Sequence, residues 1–449
     1  MRPWPPILVL ALLLPVTGPT VTSAGRETLA PRAGGDAGGR LEAPSARAGR
    51  PGEVRITGSD RVFSSVGWAV AAAAPHDTVW VGAGLYREPT VIIDRPLTLA
   101  GEPGAVLDGE GARGLVEIRA DSVTVRGLTL RNTGLSFTED RSAILVEKAR
   151  FCSVEDNRLR DTFFGIYLAN SGDCVVRGND LEARAERETR AGNGIHLWYS
   201  VRVHIDGNRI RGHRDGIYFE FVEDSEVTGN DSVGNLRYGL HFMFSDRCGY
   251  GRNRFADNGA GVAVMDTRDV VMEDNDFDHN WGSAAFGLLL KDITDSRILR
   301  NRFRRNSVAL YAEGANRVEV RGNEFLENGW AVKLMANSEG TRFETNNFLA
   351  NSFDVSTNSR RTRSAFRGNY WDRYRGYDLD RDGTGDVPFR PVRLFSLLVE
   401  RNEPTLVLLR SFLVQLLDAA EQVLPVLTPA NLVDETPALS PRATQWRTS

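Results

Sequence analysis

The sequence predicts an all-β fold, a right-handed parallel β-helix, because asparagines that end short strand-like runs recur at a nearly fixed interval. The successive intervals are 22, 29, 22, 23, 22, 26, 22, 23 and 23 residues. Alternating strands, such as residues 216–221 and 239–244, lie between these asparagines. Short strands at this period are typical of a coil that pairs with its neighbour about 4.8 Å away. The asparagines are Asn157, Asn179, Asn208, Asn230, Asn253, Asn275, Asn301, Asn323, Asn346 and Asn369.

A second asparagine column follows the first, and side chains in equivalent turns should stack into ladders along the axis. The two longest intervals indicate loop insertions near residues 183–190 and 281–285, and inserted loops are frequent places for function. The second column consists of Asn258, Asn280, Asn306, Asn328 and Asn351.

The first 24 residues have the pattern of a cleaved export signal. Arg2 supplies the positive charge, residues 7–14 form an apolar run and Ala24 ends a small-residue cleavage site. The run is too short to span a bilayer, so a cleaved signal is favoured over an anchor. Residues 25–52 are rich in Gly, Ala, Arg and Pro and predict a flexible linker. The mature protein is therefore expected in the periplasm.

The solenoid is expected over residues 53–371. An alanine-rich stretch, residues 66–74, predicts a short helix that plugs its N-terminal end, since a solenoid needs caps. An Asp/Gly-rich cap should follow over residues 372–391, and Trp371 should pack beneath it. Residues 429–449 are expected to be a disordered tail.

The apolar segment 392–428 carries too many polar residues for a good bilayer span, among them Arg410, Asp418 and Glu421. Its pattern favours an amphipathic helical segment that docks on a membrane partner or lies at the membrane interface. A helix folded back on the solenoid explains the same pattern, and the sequence alone leaves both interpretations open.

Composition excludes several classes of protein. The balance of 55 Lys+Arg against 59 Asp+Glu gives a net charge of −4, which argues against nucleic-acid binding by bulk electrostatics. Three cysteines in 449 residues exclude a disulfide framework. Cys152, Cys174 and Cys248 each precede a ladder asparagine by five residues, in a column shared with Val203, Val270 and Val318. They are therefore expected to face inward as small apolar residues.

The alternation of strand side chains places a candidate metal site on one outer face. His241 and Met243 should point outward, and Met265 should follow Met243 one coil further along the same column. Thioether and imidazole groups suit the soft ion Cu(I). The sequence therefore nominates His241, Met243 and Met265 as a transient copper site, with His196 and Glu220 nearby. Packing of these side chains under a loop or a partner is the open alternative.

Other polar residues give weaker signals. His204 should lie in an outward column, whereas His213 and His279 are expected to be solvated turn residues.

The stretch Asp378, Asp380, Asp382 and Asp386 resembles the opening of a calcium loop, although Phe389 stands where an EF-hand has glutamate. Calcium or a structural cation is one interpretation of this stretch, and an Asp/Gly-rich turn without a cation is the other.

Two segments carry a resemblance to a known family. Residues 368–391, GNYWDRYRGYDLDRDGTGDVPFRP, resemble the C-terminal signature of the NosD family. Residues 76–89 and 96–111 resemble the first coils of the CASH carbohydrate-binding and sugar-hydrolase β-helices, a module that NosD proteins contain.

The resemblance implies a periplasmic maturation factor without enzyme activity, associated with an inner-membrane complex. Its implied partners are an ABC transporter with NosY-like membrane subunits and a NosF-like ATPase. The implied role is maturation of the copper-sulfur centre of nitrous oxide reductase by copper delivery, with the reductase and a copper chaperone as further partners.

Two alternative classes of protein are also compatible with the sequence. A carbohydrate-active β-helix enzyme, such as a polysaccharide lyase, hydrolase or epimerase, needs clustered carboxylates, and the outward columns offer only single acids, Glu220 and Glu313. An inert adhesion repeat would explain the solenoid but not the apolar C-terminal segment.

Overall fold

A computed structural model describes residues 52–136, 139–282, 284–358, 363–409, 411–423 and 432–446. The export signal and nearly all of the linker predicted from the sequence lie outside these residues. Short strands wind through successive coils, and each strand pairs in parallel with its equivalent in the next coil, apart from an antiparallel start at Val54–Ile56. The right-handed parallel β-helix predicted from the sequence is confirmed.

The described strands form three long sheets along the axis, here called sheets A, B and C. Sheet A consists of Val54–Ile56, Val62–Phe63, Thr78–Val81, Thr98–Gly101, Thr124–Arg126, Ser153–Glu155, Val175–Arg177, His204–Asp206, Glu226–Thr228, Gly249–Gly251, Val271–Glu273, Arg297–Leu299, Glu319–Arg321, Arg342–Glu344 and Ala365–Arg367. Sheet B consists of Gly84–Tyr86, Ala105–Asp108, Thr129–Arg131, Arg158–Arg160, Asp180–Glu182, Arg209–Arg211, Asp231–Val233, Arg254–Ala256, Asp276–Asp278, Arg302–Arg304, Glu324–Leu326, Asn347–Leu349 and Tyr370–Trp371. Sheet C consists of Val91–Ile93, Val116–Ile118, Ser142–Glu147, Phe164–Ala169, Ile195–Trp198, Asp215–Glu220, Tyr238–Met243, Ala260–Arg268, Phe286–Thr294, Val308–Glu313, Trp330–Leu334 and Phe353–Ser356.

Two asparagine ladders hold the coils in register. In the first, the side-chain amide of Asn253 donates to Oδ1 of Asn275 at 3.0 Å and to the Val227 carbonyl at 2.8 Å. Oδ1 of Asn275 also accepts from the backbone N–H of Asn253. Each amide therefore satisfies buried backbone groups of the preceding coil and bonds to the asparagine of the next, so the polar groups of the buried turn are paired.

The interior is filled by apolar columns. Phe255, Phe277, Phe303, Phe325 and Phe348 are fully buried, and successive ring centroids lie 4.6 to 5.6 Å apart. The three cysteines face inward and are buried, as predicted.

Short helices lie at both ends of the described solenoid. Helix α1, Val66–Ala72, begins at the N-cap Ser65 and buries Val66, Ala69 and Val70, as expected for the plug. Helix α2, Leu394–Arg401, a 3₁₀ turn, Glu403–Leu408, and helix α3, Phe412–Val423, follow the Asp/Gly-rich cap.

The helical segment folds back on the solenoid. Phe395 and Val399 of α2 and Val414 of α3 pack against a cluster that includes Trp330 and Phe353. Other apolar side chains of the segment are exposed to solvent. Among the helices of the described residues, none is both long and apolar enough to cross a membrane.

The prediction of a disordered tail is wrong for residues 432–446. Asp434 is fully buried and forms a bridge with Phe366 as the next rung of the solenoid. Its carboxylate accepts from the side-chain amide of Asn369 at 3.0 Å and from the Trp371 indole at 3.1 Å. The carboxylate thus takes the place of one more ladder asparagine. A ladder end buried without an acceptor would leave these donors unsatisfied, which explains why the tail is ordered.

We expect Asp434→Ala to lower the free energy of unfolding by about 3 kcal/mol, because it leaves several buried donors without an acceptor. Urea unfolding followed by circular dichroism measures this loss. Glu435→Ala, at the exposed neighbouring position, is the matched control and should change stability little. Equal stability of the two variants would contradict a capping role for Asp434.

Candidate functional site

The candidate metal residues lie on the outer face of sheet C, in two neighbouring columns. The inner column, so named because most of its described side chains are covered, runs Tyr167, His196, Tyr218, His241 and Ala263. The outer column runs Trp198, Glu220, Met243, Met265 and Lys291. Parallel register therefore fixes which of the candidates are direct neighbours.

Met243 and Met265 are direct register partners in adjacent coils, and both are partly exposed. The hydroxyl of Tyr218 donates to Sδ of Met243 at 3.7 Å. Glu220 is the register partner of Met243 on the other side. Two thioethers and a carboxylate thus follow one another along an open surface, and Lys291 ends the run.

The sequence predicts that His241 points outward into solvent, but in the structure its side chain is only 2% exposed. Its ring contacts those of Tyr218 and Tyr238, with centroids 5.0 and 4.8 Å away. Burial, together with the cations of Arg237 and Arg214, lowers the pKa of His241 to about 3. The imidazole is therefore neutral at ordinary pH. The same two cations disfavour a metal ion placed directly beside the ring.

His196 and His241 are two coils apart, with the ring of Tyr218 between them. The centroid of Tyr218 lies 4.8 Å from that of His196 and 5.0 Å from that of His241. The two imidazoles therefore cannot bind one ion in this arrangement. Burial and the Arg214 cation lower the pKa of His196 to about 3.

Asp215 at the start of its strand is a buried charge that the sequence did not single out for this face. Arg237 and Arg214 lie 3.5 Å from its two carboxylate oxygens. Burial raises the pKa of Asp215, and the two arginines oppose that rise. The signal was present in the sequence, since Arg-Asp at 214–215 and Arg-Tyr at 237–238 are aligned across coils.

The other histidines differ in environment. His204 and His279 are exposed and lie beside Glu226 and Asp257. The expectation of a solvated turn is wrong for His213, which is 1% exposed. Its side chain occupies a position of the second asparagine ladder, and its backbone N–H donates to Oδ1 of Asn235. Burial lowers the pKa of His213 to about 4.

The Asp/Gly-rich cap brings three of its four nominated carboxylates together. One oxygen each from Asp378, Asp380 and Asp382 lies within 4.8 Å of the others. Asp386 instead accepts from the backbone N–H of Leu379 at 2.7 Å. Asp378 likewise accepts from the backbone N–H of Gly383 at 2.9 Å. The carboxylates therefore close a polar turn, and three of them also have the spacing of cation ligands.

Paired carboxylates of a glycosidase stand roughly 5 to 10 Å apart. In the outer column Glu220 and Glu313 are separated by Met243, Met265 and Lys291. At about 4.8 Å per coil these acids are too far apart to act as such a pair. The face has the character of a binding surface on a β-helix scaffold.

Comparison with known proteins agrees with that class. The family model described as "Periplasmic copper-binding protein (NosD)" matches residues 183–376. A protein of Pseudomonas aeruginosa named "Probable ABC transporter binding protein NosD" is 31% identical over 85% of this chain and 95% of its own length. A protein of the same name from Stutzerimonas stutzeri is 28% identical over 80% of this chain and 85% of its own length. The chain belongs to the NosD family.

Among solved structures, a family 28 exopolygalacturonase of Yersinia enterocolitica is similar with a TM-score of 0.53 and 11% identity. The match covers 68% of this chain and 76% of the exopolygalacturonase. At this identity the likeness concerns the fold alone.

Burial lowers the pKa of His213 to about 4, whereas the unfolded chain has a pKa of about 6.5 at this residue. Between these two pH values the unfolded chain binds a proton that the folded protein does not, so the folded protein loses stability as pH falls from about 6.5 toward 4. We expect His213→Asn to reduce the loss of unfolding free energy between pH 7 and pH 5 by about 2 kcal/mol. Urea titrations at the two pH values measure it, with His204→Asn as the matched surface control. An unchanged pH dependence in His213→Asn would contradict the assignment.

Proposed function

We propose that this chain is a periplasmic accessory protein of an ABC transporter that binds Cu(I) as cargo and delivers it for maturation of the copper-sulfur centre of nitrous oxide reductase. The register pair of Met243 and Met265 carries the proposal. Thioether ligands select Cu(I) over harder ions. The family's description as copper-binding supports the same cargo.

The two methionines and Glu220 are the centre of the proposed site. A carboxylate beside the thioethers favours a bound cation, and the Tyr218 hydroxyl orients Met243. His241 serves as a third ligand only if its ring leaves the contact with Arg237, whose guanidinium lies 3.4 Å from Nδ1. His196 belongs to a different coil environment and is assigned no role with the same ion.

A Cu(I) ion bound at the protein surface can be passed directly to another protein. Met243 and Met265 are partly exposed, so a donor or acceptor protein can approach the ion directly. We infer that a copper chaperone delivers the ion to this face and that the reductase receives it there.

An anaerobic Cu(I) titration against a chromophoric competitor tests the site. We expect the mature wild-type protein to bind one Cu(I), and Met243→Leu with Met265→Leu to weaken binding at least ~100-fold, since the loss of both thioethers removes most ligand energy. Met272→Leu, a fully buried core methionine, is the matched control and should bind as wild type. Retention of affinity in the double variant would move the ligands elsewhere, and absence of binding in wild type would overturn the carrier role.

We further propose that the segment α2–α3 docks on the NosY-like membrane subunits, with the NosF-like ATPase bound to them on the other side of the membrane. Several apolar side chains of this segment are exposed to solvent. Val407 is 89% exposed, Phe412 77% and Leu416 54%. An exposed apolar patch of this kind marks an interaction site, and the relatives' names place them with an ABC transporter.

Val407→Ser, Phe412→Ser and Leu416→Ser together should reduce co-purification with the detergent-extracted transporter at least ~10-fold, because they remove the exposed apolar contact while leaving the packed face intact. Trp281→Ser, at a side chain 60% exposed on the solenoid, is the matched control. Undiminished co-purification of the triple variant would contradict docking through this face.

We also propose Asp378, Asp380 and Asp382 as the ligands of a calcium or structural cation, with Asp386 outside the direct ligand set. The proximity of the three carboxylates supports it. Calcium titration of the wild-type chain decides between this proposal and a polar turn without a cation.

A further inference from the structure

The second asparagine ladder is interrupted at the first loop insertion. Its positions follow those of the first ladder by five residues, and from Asn351 back to Asn235 each is an asparagine. His213 takes the next position and Arg184 the one after, in the coil where the insertion begins. The Arg184 side chain is 83% exposed and pairs with Asp161 at 3.1 Å. Among the described residues, no hydrogen-bonding side chain therefore continues the ladder between His213 and Thr162, which takes the following position.

A cavity of about 190 Å³ lies at this interruption. Its wall includes Thr133, Thr162 and His213 on the ladder side and Arg184 and Arg190 on the side of the inserted loop. Neither ring nitrogen of His213, nor the hydroxyl of Thr162, has a hydrogen-bond partner within the described part of the chain. The amide of the next ladder member, Asn235, is by contrast bonded on both sides, to the backbone N–H of His213 and to Oδ1 of Asn258. Buried polar groups are usually satisfied, so unsatisfied ones that face a cavity indicate a ligand.

The wall has the chemistry of an anion site. Thr133 already accepts the backbone N–H of Phe163 at 2.7 Å, which leaves its hydroxyl hydrogen available to an acceptor. A neutral imidazole and the Thr162 hydroxyl each offer one further donor. Two arginines against the single carboxylate of Asp161 give the rim a positive balance. Donors inside and positive charge at the rim select an oxyanion rather than a cation.

We propose that this ladder-gap cavity, lined by Thr133, Thr162, His213, Arg184 and Arg190, binds the carboxylate group of a small organic acid. A planar group fits the position because the ladder is built from planar amides of the same width, and a carboxylate is the charged counterpart of the missing amide. The Thr162 hydroxyl and the His213 N–H donate to its oxygens, and Arg190 neutralises its charge. The site is separate from the methionine pair and does not depend on the copper proposal.

The protein has six histidines, so ring resonances of a ¹⁵N-histidine-labelled full chain can be resolved one by one. Titration with acetate and malonate should shift the His213 ring signals saturably, whereas chloride at equal ionic strength should not. Thr162→Val and Arg190→Ala should each weaken carboxylate binding at least ~10-fold. Arg187→Ala, on the same loop but outside the cavity wall, is the matched control and should change it less than ~2-fold.

The proposal would be overturned if neither carboxylate shifted the His213 signals at concentrations up to about 50 mM, which is well above the dissociation constant expected of a specific site. Equal weakening by Arg187→Ala and Arg190→Ala would also overturn it, since bulk loop charge would then explain the response. A sulfate response as strong as that to acetate would overturn the planar carboxylate assignment. Arg190 is an exposed residue, so Arg190→Ala should fold. The test therefore stays decisive even if Thr162→Val does not fold.

Discussion

The axial bonding of buried amides is the constraint on which the rest of this protein depends. The side chain of a ladder asparagine such as Asn253 bonds to the backbone of the preceding coil and to the asparagine of the next coil, so a coil cannot shift without breaking bonds on both sides. Fixed register then determines every side-chain column, inside and outside. Met243 is therefore the neighbour of Met265 on one side and of Glu220 on the other, because the ladders fix the register of successive coils.

Fixed register also separates charges on the outer face of sheet C. Arg214 and Arg237 share the buried Asp215 and surround the imidazole column, which stays neutral. The thioethers lie one column away, next to an acidic side chain. Two neighbouring columns of one sheet thus have opposite preferences for ions, although they are built from the same strands. A solenoid can combine two such columns because their residues occupy different positions of the repeat, so each column can vary in sequence without changing the other.

Periodicity was enough to predict the fold, the ladders, the inward cysteines and the pairing of the methionines, since strand direction alternates and the turns repeat. Exposure was harder to predict. His241 is outward by alternation yet covered, because Tyr218, Tyr238 and Arg237 close over it from neighbouring positions. The tail was missed for another reason. Asp434 occupies a ladder position without any repeat around it, and only the three-dimensional end of the solenoid shows that an acceptor is needed there.

Asp434 lies far along the chain from the solenoid edge that it covers, and this separation affects the order of events during folding. When the chain emerges with its N-terminus first, the early coils can pair before the rest of the chain is present, each serving as a template for the next. The open edge at Asn369 and Trp371 is covered only when residue 434 arrives, about 60 residues later in the chain. Until then the growing solenoid presents a strand edge of the kind that joins other chains. The tail therefore ends the period in which this edge is exposed, and that period lasts until the helical segment between residues 371 and 434 has emerged.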